Sequence, residues 1–273
     1  MSGRLIVCSM VLATSVMLSP VYAAQQMCNT LLAVVHANAQ PFDWQDARTG
    51  ISQGLSIDLL AALAEKTQLD IQRVTAKDAS KALREVRSGR VDLIIGVHSE
   101  PQKDSRLDYL TPAYAQQDYR IWLRAGEQAS LQQWPQLSGL RGVRGLDLKA
   151  LPGFDAQAQQ FNWPLRSVQG TKAATQMVLQ GRADYLLAEQ HHYQLYLQEA
   201  KLTDLFEMIE PPVATRQLFV ALSKDSACND VAMRNTLSKA LVDLTQATVA
   251  QRRLTKAMQD WQTMRLHDAS PDK

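Results

Sequence analysis

Two similar units of hydrophobic and polar residues stand out along this chain. In each unit an amphipathic helix runs into a Gly-Arg-x-Asp sequence and then a short apolar strand, at residues 88–97 (SGRVDLIIGV) and 180–189 (QGRADYLLAE). The helix before each sequence carries apolar residues at the spacing of one helix face. These are Ala79, Ala82, Leu83 and Val86 in the first unit, and Ala173, Ala174, Met177 and Val178 in the second. The repeat predicts two similar α/β lobes.

The positions around each Gly-Arg-x-Asp sequence favour a helix end followed by a buried strand. Gly89 and Gly181 stand where a helix C-terminus favours a residue that tolerates positive φ. The strands at 93–95 and 185–187 are apolar on both faces, which is typical of a parallel sheet covered by helices. We therefore expect the repeated sequence to be scaffold, and the segment that follows each strand to carry the function.

Strands and helices alternate along the rest of the chain. A strand at 31–35, a helix with Ser56 as its N-cap, a strand at 70–75 and the first unit give the β-α-β-α-β order of a parallel α/β sheet. The later predicted elements are strands at 119–123 and 142–145, a helix after Asp147, a strand at 165–168, the second unit, a strand at 218–222, and closing helices at 229–246 and 248–261. The polar residues after His267 are expected to fray.

The first residues have the composition of a secretory signal peptide. A basic start that includes Arg4 precedes an apolar run at 5–18 and small residues at 19–24, so we expect residues 1–23 to be removed by cleavage after Ala23. The apolar run is shorter than the ~18–20 residues that a membrane span requires. No Cys follows the cleavage point directly, so a lipoprotein anchor is not expected. The mature protein is predicted to be soluble and exported to the periplasm.

The charge balance does not favour a nucleic-acid partner. The formal net charge of the chain is +2, and removal of Arg4 with the signal peptide lowers it to +1. Binding to phosphate backbones depends on an excess of positive charge, so no nucleic-acid partner is expected. With 46% hydrophobic residues, 12 Gly and 10 Pro, the chain has the composition of a globular protein.

Two cysteines remain once the signal peptide, which contains Cys8, is removed. Cys28 and Cys228 are a pair in an oxidising compartment, and this favours a disulfide between the mature N-terminus and a late segment. The alternative is two buried thiols.

Several short motifs follow one another in a fixed order. They are QPF at 40–42, GLSIDL at 54–59, SGRVDLI at 88–94, PQK with LDY and Pro112 at 101–112, and LSGLRGV at 137–143. Together they resemble the motifs of the family 3 periplasmic solute-binding proteins, which include polar amino-acid receptors of ABC importers. The second motif, for example, is similar to the Gly-Phe-Asp-x-Asp-Leu of that family. The resemblance covers nearly the whole mature chain.

The resemblance implies a two-lobed α/β fold of the periplasmic-binding-protein type (type II). In this fold two α/β lobes are joined by two crossover strands, and the ligand binds in the cleft between them. The implied division is a first lobe of residues 24–118 and 214–263, a second lobe of residues 119–213, and a polar tail of residues 264–273. Ligands of open α/β sheets sit beyond the strand C-termini, so the ends of both repeated strands are expected to line the cleft.

Candidate ligand contacts in the first lobe follow from this placement. Gly96, His98 and Ser99 come at the end of the first repeated strand. Ala39 and Ala79 correspond by position to the two aromatic residues that hold the ligand side chain in the amino-acid receptors. Trp44 is a candidate to replace those aromatics, although core packing under the loop is an equal alternative, and for Phe42 core packing is favoured.

At several positions where the family has a ligand-binding polar or charged residue, this chain carries a different residue or leaves the correspondence open. Lys103 corresponds to the carboxylate-binding Arg of the family; a shift of one residue gives Asp104 instead, and Arg106 is near enough to substitute. Lys offers a point charge where Arg offers a planar fork, which disfavours bidentate capture of a carboxylate. Asp147 stands where the family has a Gly-Ser-Thr sequence, either as a helix N-cap or as a ligand contact. Glu189 corresponds to the acidic residue that meets the ligand's ammonium group, or it is an ordinary carboxylate at the strand end.

No metal or cofactor is expected. His191 and His192 follow Glu189, and His98 lies at the other strand end. Adjacent histidines on a helix point about 100° apart and rarely bind one ion together.

These observations predict a monomeric binding protein that captures a small polar solute and catalyses no reaction. A membrane partner such as an ABC permease would then take up the solute, and we expect that solute not to be a standard α-amino acid. An alternative is an orphan periplasmic sensor or an accessory protein of a periplasmic quinoprotein dehydrogenase system. A remote alternative is an enzyme like the cyclohexadienyl dehydratases, with Glu189 as the general acid.

Export should leave a defined N-terminus. We expect the protein isolated from the periplasm to begin at Ala24, because the small-residue end at 19–24 directs cleavage after Ala23. Intact-mass measurement and N-terminal sequencing check this, with the cytoplasmically expressed chain as the control. A periplasmic protein that retains Met1 would contradict it.

Overall fold

One mixed β-sheet runs through the described chain, and its two central strands connect the two halves of the molecule. A computed structural model describes residues 28–36, 40–98, 104–127, 137–146, 148 and 150–269, without the side chains of residues 36 and 267–269. In chain order the elements are β1 Thr30–His36, β2 Trp44–Gln45, β3 Ser52–Gln53, α1 Leu55–Thr67, β4 Asp70–Ala76, α2 Ala79–Arg87, β5 Leu93–His98, β6 Leu107–Tyr109, β7 Ala115–Arg124, β8 Gly142–Gly145, α3 Pro152–Gln160, β9 Leu165–Val168, α4 Gly170–Leu179, β10 Tyr185–Glu189, α5 Gln190–Glu199, β11 Phe206–Met208, β12 Ala214–Ser223, α6 Val231–Leu244 and α7 Ala247–Ala269.

The sheet has a parallel group at each end. Within the described residues ten strands take the order β4-β1-β5-β12-β7-β10-β8-β9, with β6 beside β12 and β11 beside β7. At one end β1 is parallel to β4 and β5, and at the other β8 is parallel to β9 and β10. The antiparallel pair β7 and β12 lies between the two groups. The parallel α/β order predicted from the sequence is confirmed.

The buried side chains divide into two lobes that meet on the central strands. Two hydrophobic clusters draw on residues up to Ala115 and from Leu218 onward, and we name this part the first lobe. Two further clusters draw on residues from Tyr119 to Ala214, which we name the second lobe. Strands β7 and β12 therefore each place side chains in both cores. This is the two-lobed fold that the resemblance implied.

Each Gly-Arg-x-Asp sequence follows the end of a helix, and its Asp side chain hydrogen-bonds to the backbone at or next to a neighbouring strand. Gly89 and Gly181 have φ values of 70° and 66°, which confirms their predicted place after the helix. Asp92 Oδ2 accepts a hydrogen bond from the backbone N–H of Leu32 on β1 (2.8 Å), and Asp184 Oδ2 accepts one from the backbone N–H of Arg141 just before β8 (2.7 Å). The repeat is scaffold in both lobes.

Helix α1 begins differently from the prediction. Its N-cap residue is Gly54, and Ser56 lies inside the first turn, so the N-cap role predicted for Ser56 is wrong. The backbone carbonyls of Pro41 and Phe42 accept from the N–H groups of Leu55 and Ser56, at 3.1 and 3.0 Å, and satisfy the helix end. Gly54 has φ 121°, and a Cβ there would lie 2.4 Å from the carbonyl oxygen of Phe42. Only glycine allows the loop to lie this close to the helix.

Three later elements also differ in length from the predictions. Strand β12 begins at Ala214, four residues before the predicted 218, because it continues as a partner of β7 between the lobes. Helix α3 begins at Pro152 with Leu151 in the N-cap position, and Asp147 lies outside the described residues. Helix α7 continues to Ala269, so the start of the predicted polar tail is helical rather than frayed. Among the described helices, none has both the length and the hydropathy of a membrane span.

A disulfide joins the two ends of the first lobe. Cys28 and Cys228 are bonded with an S–S distance of 2.04 Å, across 200 residues of sequence. Cys28 lies just before β1, and Cys228 lies in the turn between β12 and α6. The bond therefore links the start of β1 to the turn that follows β12.

Reduction of this disulfide should destabilise the protein. We expect the free energy of unfolding to fall by about 2–4 kcal/mol, because the oxidised unfolded chain is restricted by a long closed loop. Urea unfolding with and without reductant measures the difference, and a Cys28→Ser/Cys228→Ser variant should not respond to reductant. Two free thiols in a peptide map prepared without reductant would contradict the expectation.

Candidate functional site

The candidate site lies beside the crossover strands, where β5 ends opposite Leu218 of β12 and β10 ends opposite Tyr119 of β7. Strand β5 ends at His98 in the first lobe and β10 ends at Glu189 in the second. In open α/β sheets the carboxyl ends of the strands form the ligand-binding edge. Gly96 lies within β5, two residues before its end, so Gly96, His98 and Glu189 all lie at or near the carboxyl ends of their strands, and their contact with a ligand stays a prediction.

Glu189 is already engaged within the protein. Its side chain is only 7% exposed. Oε2 accepts a hydrogen bond from the backbone N–H of His192 (2.7 Å), so Glu189 is the N-cap of α5. Oε1 lies 3.2 Å from Nδ1 of His191. Both carboxylate oxygens thus have partners in the second lobe, where the resemblance implied a contact with the ligand's ammonium group.

A ring contact joins the two lobes beside Glu189. His191 of the second lobe packs edge-on against Phe42 of the first lobe, with ring centroids 6.4 Å apart and the planes at 85°. Phe42 is itself buried in the first-lobe core, which agrees with the prediction of core packing. The imidazole is therefore held between a carboxylate of its own lobe and a phenyl ring of the other.

Trp44 and Ala79 differ in their surroundings. Trp44 is buried in the first-lobe core and packs edge-on against Trp261, with centroids 5.5 Å apart. This packing favours the core alternative over the ligand contact, which stays a prediction. Ala79 is the first residue of α2 and is partly exposed, after Asp78, whose side chain accepts from the N–H of Lys81.

The charged positions near 103–106 are described only in part. Ala39, Ser99, Lys103 and Asp147 lie outside the described residues. Arg106 is exposed, and its backbone N–H donates to Asp104 Oδ1 (3.1 Å). Burial opposes the charge on Asp104, but the bonds from Arg106 and from the guanidinium of Arg87 outweigh it and hold the pKa of that carboxyl below its usual value. The carboxylate of Asp104 is thus already paired with the guanidinium of Arg87.

Arg120 is a site residue that the sequence analysis missed. It lies on crossover strand β7 and is only 7% exposed. Its Nε donates to Oε1 of Gln190, the first residue of α5 (2.5 Å), and its Nη1 pairs with Glu210, which precedes β12. The guanidinium therefore joins α5 to both connections between the lobes. A single charge inside the apolar strand 119–123 was the available signal, because a buried charge requires partners.

A second missed group is the buried cluster of Asp43, Ser56 and Tyr114 in the first lobe. The Ser56 hydroxyl lies 2.8 Å from the Tyr114 hydroxyl, and Asp43 hydrogen-bonds to Ser56. Among the described residues Asp43 Oδ2 has no hydrogen-bond partner. Burial raises the pKa of Asp43 well above its ordinary value, and the Ser56 bond opposes this only partly. Burial likewise raises the pKa of Tyr114. Burial therefore favours the neutral form of both side chains.

In the part of the chain that the structure describes, no group of three His, Cys, Asp or Glu side chains is placed to hold a metal ion.

Comparison with known families and structures gives a consistent result. The profile of the bacterial extracellular solute-binding proteins, family 3, matches residues 31–263. A comparison with curated protein sequences finds no match. Solved structures with the same fold include proteins of different roles, all below 25% identity, so they show the fold alone.

Three of these structures illustrate the range. The ancestral amino acid-binding protein AncCDT-1, a precursor of cyclohexadienyl dehydratase, is 19% identical with a TM-score of 0.60, over 84% of this chain and 95% of that chain. A histidine kinase sensor domain with similarity to periplasmic binding proteins is 17% identical with a TM-score of 0.63, over 84% and 96%. The amino acid ABC transporter substrate-binding protein AbpA of Streptococcus pneumoniae, bound to L-arginine, is 17% identical with a TM-score of 0.61, over 85% and 95%.

Removal of the carboxyl of Asp43 should change how stability depends on pH. Because the folded-state pKa is raised, neutral Asp43 stabilises the fold fully below the unfolded pKa of about 3.9, and this contribution is lost as the pH rises through the folded pKa. The Asp43→Asn variant lacks this term. The free energy of unfolding of the variant minus that of the wild type should therefore increase by up to about 1.4 kcal/mol per pH unit above pH ~4.

Urea unfolding between pH 4 and pH 8 measures this gain. The control is Asp204→Asn, which alters an exposed aspartate of the second lobe and should run parallel to the wild type. Parallel curves for Asp43→Asn and the wild type would show that the buried carboxyl is charged in the folded protein.

Proposed function

Because this chain belongs to the bacterial extracellular solute-binding proteins of family 3, we propose that it is an exported receptor that binds a small polar solute between its lobes and catalyses no reaction. The observation that carries the proposal is the pair of crossover strands. Each places side chains in both hydrophobic cores, and β5 and β10 both end beside this crossover, with His98 opposite Leu218 and Glu189 opposite Tyr119. Concave sites between lobes are favoured places for small ligands.

The proposed mechanism is closure of the lobes about β7 and β12. The side chains of β7 change from one core to the other between Ala115 and Tyr119, and those of β12 between Ala214 and Leu218. The change on β7 supports the proposed lobe limit at 118/119, while the change on β12 comes one to four residues after the proposed limit at 213/214. A solute that contacts both lobes stabilises the closed state by its differential affinity, and a partner can then recognise that shape.

The contacts of Glu189 support a ligand other than a standard α-amino acid. One carboxylate oxygen of Glu189 accepts from the backbone N–H of His192, and the other lies near His191. The carboxylate therefore has less remaining capacity to accept hydrogen bonds from an ammonium group. Ala79 likewise offers no ring surface. The proposed contacts are thus His191 and the other predicted residues, of which Gly96, His98 and Arg106 lie within the described part of the chain and Ala39, Ser99, Lys103 and Asp147 lie outside it.

The proposed partner is a membrane permease of the ABC type, with the receptor monomeric in the periplasm. The S. pneumoniae relative, which is described as a substrate-binding protein of an amino acid ABC transporter, supports this role. The histidine kinase sensor domain with the same fold favours sensing, or an accessory role, as the second candidate. An enzyme is disfavoured, although AncCDT-1 is described as a precursor of one, because the candidate acid Glu189 is engaged through both oxygens.

A panel of solutes tests the proposal by thermal unfolding. We expect no shift with the standard amino acids and a clear shift with a member of a panel of organic acids, polyols and amines. A solute at 100 times its dissociation constant should stabilise the protein by about 2.7 kcal/mol. Small-angle scattering should show compaction with the same solute. A shift with glutamine, arginine or histidine would contradict the ligand class, and an unchanged radius of gyration at saturation would contradict closure.

Two matched arginine variants separate binding from general effects. Arg106→Ala removes an exposed charge at a contact position implied by the family resemblance, and Arg166→Ala removes an exposed charge on edge strand β9. For an anionic solute found in the panel, we expect Arg106→Ala to weaken binding about tenfold or more, since hydrogen bonds to charged groups contribute about 1.5–3 kcal/mol. Arg166→Ala should bind as the wild type does.

A further inference from the structure

Helix α5 of the second lobe lies against the first lobe at both of its ends. At its N-terminal end His191 contacts the ring of Phe42. At its C-terminal end Gln198 Oε1 accepts a hydrogen bond from Nε2 of Gln262 (2.5 Å), and Glu199 pairs with Arg265. His191 and Gln198 are seven residues apart and so share one face of the helix. One side of α5 thus follows the boundary between the lobes.

The partner helix α7 is anchored in the first lobe. Ala257 is buried in the first-lobe core, and Arg253 Nη1 donates to the carbonyl oxygen of Asp58 on α1 (3.0 Å). Trp261 packs on Trp44, and the guanidinium of Arg265 lies 5.7 Å from the Trp261 ring centroid. The last turns of α7 therefore rest on the first lobe while Gln262 and Arg265 reach the second.

We propose that Gln262 and Arg265 of α7, with Gln198 and Glu199 of α5, form an inter-lobe strap that sets the ratio of closed to open molecules. The proposal rests on the proposed function, since the strap acts on the same closure that solute drives. A solute binds the competent state in proportion to its population, so the strap would tune apparent affinity without touching the solute.

The chemistry of the strap suits a reversible contact. The side chains of Arg265 and Glu199 are 41% and 38% exposed, so water can replace the partners when the helices separate. Exposed ion pairs of this kind change an equilibrium by about two- to fivefold. An apolar contact in the same place would resist opening, because separation would expose its surface to water.

Distances between the lobes test the strap without any solute. Spin labels at Lys81→Cys on α2 and Lys172→Cys on α4 mark two exposed positions, one in each lobe. Arg265→Glu and Glu199→Arg each place like charges together, and we expect either to lower the closed-to-open ratio about two- to fivefold. The double variant Glu199→Arg/Arg265→Glu restores an opposite pair and should recover the wild-type distances.

The control breaks an ion pair of similar exposure within the first lobe. Lys66 and Asp243 lie 2.8 Å apart with side chains 40% and 49% exposed, and Lys66→Glu should leave the inter-lobe distances unchanged. The strap proposal is overturned if the single variants keep the wild-type distances. It is also overturned if the double variant shows the same open distances as the single variants. If the protein binds a solute and becomes compact, but the strap variants keep the wild-type inter-lobe distances, only the strap proposal is overturned. Failure of the whole solute panel counts against the proposed function instead.

Discussion

The pairing of β7 with β12 is the interaction on which the rest of the structure depends. Five residue pairs, from Ala115 with Leu218 to Tyr119 with Ala214, join the two strands between the lobes. The end positions pack into opposite cores, while the residues between them, at 116–118 and 215–217, are polar and at least partly exposed. Backbone hydrogen bonds thus hold the two crossover strands in register between the lobes. The division into lobes and the cleft between them follow from this arrangement.

Two buried ionisable groups flank this connection, and they are stabilised in opposite ways. The Arg120 guanidinium donates to Gln190 and pairs with Glu210, so the crossover strand, α5 and the second connection are held together. Among the described residues Asp43 hydrogen-bonds to Ser56 but pairs with no cation, so burial favours its neutral form. A buried charge is tolerated only with partners, and a buried acid without them takes up a proton. The cleft is thereby supported on one side by an ion-pair network and on the other by a neutral cluster.

Glu189 connects this support to the proposed function. In the family that the motifs resemble, its position meets the ligand, but here its carboxylate caps α5 and orients His191. The same helix lies against the first lobe through His191 at one end and through Gln198 and Glu199 at the other. A carboxylate that fixes the start of α5 therefore also fixes where the lobes touch. This links the changed binding position to the proposed closure of the cleft.

The sequence by itself determined the α/β order and the repeated Gly-Arg-x-Asp turns. These features depend on periodicity and on turn conformation within a few residues, as the positive φ of Gly89 and Gly181 shows. Only the tertiary structure decided that Ser56 bonds to Tyr114 instead of capping α1, that Trp44 packs on Trp261, and that β12 extends along β7. The positions of Arg120, Asp43 and the α5–α7 contact were likewise beyond the sequence. Most of their partners are distant in the sequence: Ser56 is 13 residues from Asp43, and Gln190 and Glu210 are 70 and 90 residues from Arg120. The burial that governs their hydrogen bonding exists only once the lobes have packed.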